Sequence, residues 1–224
     1  MFDRISTLIG EDKLELIKNV RVLILGCGGV GGYVIEALVR SGITNITIVD
    51  KDVVDESNIN RQIIALHSTI GMKKTDVFTK RLTDINPNIN LTSLHLDLTQ
   101  NNIESLSLAN YDYVVDAIDD VKVKVALIKY AILNNIKLIT SCGTAKKIDA
   151  SLLKITRLDK TYADPLAKKL RSELRGYDTK KIIALSSSEE VLIDGAKLGS
   201  CIFVPAVGGL LIANYIIKDI IKIC

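Results

Sequence analysis

An α/β fold built on a doubly wound, mostly parallel sheet is what this sequence predicts, and three observations predict it. Val22-Leu23-Ile24-Leu25 is a short apolar run of the kind found in a strand buried on both faces. Gly26, Gly28 and Gly31 follow at G-x-G-x-x-G spacing and open a helix at Tyr33-Val34-Ile35-Glu36-Ala37-Leu38. Further along, apolar β-leaning runs alternate with helical stretches, as they do where crossover helices join parallel strands. In such a turn the first glycine permits the sharp bend, the second lets a phosphate approach the backbone, and the third lets helix and sheet pack closely. The helix start adds free N–H groups and a positive dipole end, which favour an anion.

Residues 2–19 read as a helical lead-in whose apolar stripe includes Leu14 and Ile17, with Arg4 ahead of it. After the glycine turn, Ile46-Thr47-Ile48-Val49 forms a second strand ending in Asp50, close to the distance at which an acid grips a ribose hydroxyl. The polar loop from Asp50 to Gln62 carries too many hydrogen-bonding groups to be a simple connection. Gly71-Met72-Lys73-Lys74 leads into a helix over 75–85, which Asn86-Pro87-Asn88 stops. A third strand spans 91–96. The strand beginning at Tyr113 carries Asp116, Asp119 and Asp120 at its carboxyl end, where open α/β sheets bind ligands. A helix over 123–134 and a strand over 137–140 complete the alternation.

Beyond Gly143 the pattern changes. Residues 146–149 and 152–158 suggest a hairpin or an antiparallel crossover strand. Asp164 before Pro165 opens a capped helix within 161–175, and its exposed side is basic, with Lys168, Lys169, Arg171 and Arg175. Residues 180–193 add strand. The apolar stretch 201–217 is broken by Pro205, Gly208 and Gly209 and followed by Lys218, Asp219 and Lys222, so a buried helix is the better reading and a membrane anchor the lesser alternative. The chain is taken as one domain over 1–224, with a core over 1–143 and a small C-terminal extension, 144–224, completing the domain and its substrate side.

Hydrophobic residues make up 48% and charged residues 25%, which describes a globular chain and not a disordered one. The net charge of +3 permits an acidic partner such as RNA without demanding one; nothing calls for DNA. Cys27, Cys142, Cys201 and Cys224 never reach C-x-x-C spacing, so neither a sequence-local zinc clasp nor a secreted disulfide scaffold is expected. The amino terminus shows no signal-peptide pattern, and a cytoplasmic protein is expected.

Arg61 and Lys74 supply cations where a triphosphate would lie beyond the glycine turn. Asp119 offers a hard oxygen for magnesium, which takes one or two carboxylates together with phosphate oxygens. Cations and a metal around a phosphate chain are what nucleotidyl transfer needs. A nicotinamide dehydrogenase, the first rival, fares worse: the chain has two histidines, His67 and His95, and no convincing hydride-transfer acid.

Six ordered motifs resemble the ThiF/MoeB adenylating enzymes, the ubiquitin-activating superfamily. They are Gly26-x-Gly28-Gly29-Val30-Gly31, Asp50-x-Asp52, Ser57-Asn58-x-Asn60-Arg61-Gln62, Gly71-x-x-Lys74, Asp84-Ile85-Asn86-Pro87 and Asp116-Ala117-Ile118-Asp119. Within that superfamily, Lys160-Thr161-x-x-Asp164-Pro165-Leu166-Ala167 with Leu170-Arg171, Ser188-Glu189, and Gly199-Ser200-x-x-Phe203-Val204-Pro205 are similar to the branch that dehydrates threonylcarbamoyladenosine in tRNA.

The resemblance implies ATP-dependent ring closure on tRNA. The threonyl carboxylate attacks the α-phosphate of ATP, and AMP leaves the resulting acyl-adenylate as the side chain cyclises. It assigns Gly26, Gly28, Gly29 and Gly31 to the phosphate turn and Asp50 to the ribose. Asp52 and Gln62 join that nucleotide site, Asn58, Arg61 and Lys74 reach the phosphate chain, and Asp119 holds Mg2+. Arg4 matches an arginine that family members supply from the partner subunit, which implies a homodimer; sulfur-relay protein partners are also admitted. ThiF and MoeB members usually carry paired C-x-x-C zinc ligands, absent here, which favours the tRNA branch over adenylation of a ubiquitin-like sulfur carrier. The stretch 176–195 is shorter than in relatives. Lys168, Arg171 and Arg175 are the expected tRNA-backbone contacts, with Lys146 and Lys147 as weaker ones.

Overall fold

A computed structural model describes residues 1–190 and 199–223. Its strands are β1 (Arg21–Leu25), β2 (Asn45–Asp50), β3 (Asn90–His95), β4 (Tyr113–Asp116), β5 (Leu138–Ser141), β6 (Leu153–Arg157) and β7 (Ile183–Ser187). They form one sheet in the order β3-β2-β1-β4-β5-β7-β6. Every neighbouring pair is parallel except β6 with β7. The order reverses between β1 and β4, and such a reversal opens a crevice at the carboxyl ends of the strands.

Helices cover both faces: α1 (Asp3–Ile9), α2 (Glu11–Asn19), α3 (Gly31–Arg40), α4 (Lys74–Ile85), α5 (Val121–Leu133), α6 (Pro165–Glu173) and α7 (Phe203–Ile220). Successive strand residues point to opposite faces, so β1 feeds two cores. Val22 and Ile24 pack with Ile17, Val34, Phe78 and Ile212, from α2, α3, α4 and α7. Leu23 and Leu25 pack with Leu127, Ile128 and Leu170, from α5 and α6. Burying each such side chain contributes about 1.5–3 kcal/mol before entropy is counted.

The boundaries differ from the sequence expectation in instructive places. The lead-in is two helices, because Gly10 adopts φ +89 and breaks it. Residues 146–149 form no strand. Lys146 sits at φ +61, and the Ile148 and Asp149 amides donate to the buried Glu189 carboxylate instead. The strand expected over 180–193 is β7; its last expected residues lie outside the described ones. The antiparallel crossover strand expected within 152–158 is β6, the sheet's outer edge. By length and composition α7 is apolar enough to cross a membrane. Here Val204, Ala206, Ile212, Ala213 and Ile216 are buried, and Gly209 brings α7 against α3. A Cβ on Gly209 would lie 2.5 Å from the Val30 carbonyl oxygen.

Candidate active site

The glycine turn joins β1 to α3 at the carboxyl edge of the sheet. Gly26 has φ +93, and a Cβ there would lie 2.6 Å from the Ala117 carbonyl oxygen just past β4. A Cβ on Gly31 would lie 1.8 Å from the Gly26 carbonyl oxygen, so helix and turn close on each other only because both are glycine. Gly28 differs. The nearest atom to its Cβ position is Gln62 Nε2 at 3.8 Å, an ordinary contact distance that leaves room for a methyl. The turn is therefore tight at Gly26 and Gly31 and less crowded at Gly28, where backbone N–H groups at a helix start can meet an anion.

Asp50 ties the turn to the polar loop. Its Oδ2 accepts from the Cys27 amide at 2.6 Å and its Oδ1 from the Asp52 amide at 2.7 Å. Each oxygen keeps acceptor capacity for a ribose hydroxyl. Burial, with Asp50 close by, pushes the Cys27 thiol well above its ordinary range and leaves it an inert neutral group.

The cations converge on the same edge. Lys74 begins α4 and is buried, with Nζ 2.8 Å from Asp52 Oδ2. Its amide also donates to the Asp52 carbonyl at 3.1 Å. Asp52, expected in the nucleotide site, thus also holds the lysine. The Arg61 stem lies 3.7 Å from the Cβ position of Gly29, and its Nη1 donates to the Ser57 carbonyl at 2.6 Å and to Asn60 Oδ1 at 2.9 Å. The guanidinium's other N–H groups remain for a phosphate. Asn58 is buried; its Oδ1 accepts from the Asp55 amide at 3.2 Å, so it builds the loop turn. Gln62 is also buried, and its Oε1 has no protein partner among the described residues. A buried carboxamide oxygen without a partner calls for a ligand donor.

Asp119 stands exposed at the end of β4. Asp120 beside it caps α5, accepting from the Lys122 and Val123 amides, and those bonds hold its carboxyl below the usual range. Among the described residues no group of three or more histidine, cysteine or carboxylate side chains forms a metal cage. The donor set fits a magnesium ion carried on phosphates and steadied by one carboxylate. Arg4 is exposed on α1, which packs on α2, and is not brought into this cluster within the chain.

Two features escaped sequence reasoning. Asp116 forms a fully buried ion pair with Lys124 at 2.7 Å, completed by the Thr140 hydroxyl, which donates to the same Oδ2 at 2.6 Å. Lys124 among the inward residues of α5 was the available signal. The second is the cover over the turn. Pro205 of α7 comes within 3.3 Å of the Gly29 Cβ position, Asn60 Nδ2 donates to the Ser200 carbonyl at 2.8 Å, and the Lys146 amide donates to the Gly199 carbonyl at 2.8 Å. The carboxyl-terminal segment therefore walls the phosphate turn.

The basic helix is only partly as expected. Lys168 is exposed on α6, which ends at Glu173, so Arg175 is exposed in the turn beyond it; Arg171 is half-buried and its Nη1 donates to the Thr161 hydroxyl. Lys147 is buried in an ion pair with Asp164 at 3.3 Å, which removes it from any RNA-facing surface.

The sequence model of the ThiF family matches residues 2–223. The chain belongs to the ThiF family. It is 38% identical to a tRNA threonylcarbamoyladenosine dehydratase of Bacillus subtilis over 99% of this chain and 94% of that protein. A counterpart from Escherichia coli is 41% identical over 78% of this chain and 65% of its own length. The E. coli enzyme's crystal structure with ATP superposes with a TM-score of 0.92 at 34% identity, covering 99% of this chain and 93% of that one. In this ThiF protein, then, the likeness extends beyond the nucleotide core through β6, β7 and α7.

Proposed function

We propose that this ThiF protein is an ATP-dependent tRNA threonylcarbamoyladenosine dehydratase. The observation that carries the reading is the whole-length likeness to such enzymes, together with α7 closing on the glycine turn. A carboxylate is a poor electrophile until one of its oxygens belongs to a good leaving group. The threonyl carboxylate attacks the α-phosphorus of ATP and pyrophosphate departs; attack by the modification's own side chain on the acyl carbon then expels AMP. The oxygen that leaves in AMP, with the proton shed on ring closure, accounts for the net loss of water.

Each residue's part follows from its place. The uncrowded backbone at Gly28 admits the phosphates to N–H groups of the turn, and Asp50 accepts from the ribose. Arg61 and Lys74 stabilise charge building on the phosphate chain, where fixed cations act with no reorganisation cost. Magnesium, when bound, adds Lewis-acid charge stabilisation on the phosphate oxygens, and Asp119 would hold it. Arg4, remote from its own site, completes the partner's site in a homodimer. The setting is cytoplasmic.

The test is nucleoside mass analysis of threonylcarbamoyladenosine-bearing tRNA after incubation with protein, ATP and magnesium. A product lighter by one water, absent with Asp119→Ala, is expected. Pyrophosphate release that requires a ubiquitin-like carrier protein, with the tRNA unchanged, would move the assignment to carrier adenylation.

A further inference from the structure

The sheet's outer edge carries a second polar site that the adenylation machinery leaves unused. On β6 and β7, Lys154 pairs in register with Ser186, and the Ser188 amide donates to the Leu152 carbonyl at 3.2 Å. Residues 158–163 run up over this face. They are anchored low by the Leu158 amide on the Ile182 carbonyl at 2.8 Å and midway by the Thr161 hydroxyl on the Leu158 carbonyl at 2.8 Å. Between the strip and the sheet lies a hollow of about 80 Å3 lined by Lys154, Thr156, Lys160, Tyr162, Ser186 and Ser188. Its size suits a phosphate or the edge of a ribose and not a whole nucleotide.

Tyr162 stands at its rim with 59% of its surface exposed. The next residue, Ala163, takes φ +56, a conformation costly for a residue with a Cβ, before Asp164 turns inward toward Gly143. Lys154 and Lys160 are exposed, and among the described residues neither enters an ion pair. An exposed ring, two lysines and the Thr156, Ser186 and Ser188 hydroxyls, set beside Leu152, combine a stacking face with donors for phosphate and ribose oxygens. Single-stranded RNA is held by these elements.

The position suits the chemistry. β6 lies three strands from β4, roughly 14 Å across the sheet, on the same side of the crevice as the strip that leads into α6. Lys168 and Lys169 continue the positive surface along that helix, and Arg175 extends it in the turn beyond.

We propose that Tyr162, Lys154 and Lys160 form an RNA-contacting surface that holds a nucleotide flanking the modified adenosine, with the tyrosine ring stacked on its base and the lysines and hydroxyls on its phosphate and ribose. This rests on the tRNA reading above. The experiment compares wild type with Tyr162→Ala, Tyr162→Phe and Lys154→Ala/Lys160→Ala. It measures tRNA affinity by fluorescence anisotropy over a salt series, ATP affinity by calorimetry, and single-turnover ring closure at saturating tRNA. Tyr162→Ala weakens tRNA binding about tenfold while Tyr162→Phe retains it. The double lysine variant weakens binding and lowers the slope of log affinity against log salt by about 1. ATP affinity and the saturated rate stay as in wild type. Unchanged tRNA affinity in variants of an active wild type overturns this surface alone, and so does a parallel loss of ATP affinity, which marks a structural role. A wild type that forms no ring-closed product overturns the surface together with the tRNA reading.

Discussion

Lys124 and Asp116 meet 2.7 Å apart with neither side chain reaching solvent, three residues before Asp119. The pair is fully hydrogen-bonded: Lys124 Nζ also donates to Thr140 Oγ1 at 3.3 Å and to the Ser141 carbonyl at 3.1 Å. It locks α5 to the ends of β4 and β5, under the site. Lys124→Met leaves a buried carboxylate unpaired and should cost about 3–5 kcal/mol. Urea unfolding checks this, and Lys124→Met/Asp116→Leu should recover much of the loss because two apolar side chains need no partners.

The middle and last glycines of the turn, Gly28 and Gly31, separate packing from binding. Gly31→Ala drives a methyl into the Gly26 carbonyl, 1.8 Å away, and should sharply lower the melting temperature. Gly28→Ala meets nothing nearer than 3.8 Å, so the fold should hold to within about 1 kcal/mol while ATP affinity falls about tenfold. Thermal melts beside calorimetric titration with ATP distinguish the two.

Lys74 is aimed by Asp52 across 2.8 Å. Lys74→Met should lower kcat about 100-fold, the usual loss when one fixed donor to developing charge is removed. Asp52→Asn keeps the ammonium but loosens its aim, and should cost about tenfold. Pyrophosphate release gives both numbers.

Glu36 ties α3 to α4. Its Oε1 accepts from Arg40 Nε at 2.7 Å and its Oε2 from Arg81 Nε at 2.7 Å. Burial alone would raise its carboxyl, but the hydrogen bonds from Arg81 and Arg40 outweigh it and hold the group below its ordinary 4.5. The unfolded chain therefore binds this proton more readily. The stabilisation is complete above the ordinary value and is lost as pH falls through the lower, folded one. Denaturant titrations across that range should show stability falling with acid, and Glu36→Gln should flatten the fall.

Arg4 and Lys74 should complement each other between chains. If Arg4 serves the partner's site, Arg4→Ala and Lys74→Ala proteins are each inactive alone but regain ring closure when mixed and allowed to exchange subunits. A mixture as inactive as its parts would place Arg4 outside the machinery.

The glycine spacing, the apolar run before it and the acids ending β2 and β4 made the doubly wound core legible from the chain alone. Each depends on local rules: two-face burial of a strand, the sterics of a tight turn, and ligand sites at strand ends. Arg61 and Lys74 were legible for the same reason, since the loop and helix start that carry them lie a few residues from those landmarks. The sequence by itself determined the α/β core, the glycine turn and the cations placed beside it. Only the tertiary structure decided that Asp52 serves Lys74, that Arg171 and Lys147 turn inward while Lys168 stays out, and that Pro205 covers Gly29. Those outcomes depend on groups 22 residues apart in the Lys74–Asp52 pair, 17 in the Lys147–Asp164 pair and 140 in the Asn60–Ser200 contact. A basic residue's type fixes its charge, but whether that charge meets solvent or a buried carboxylate depends on which distant segment folds over it.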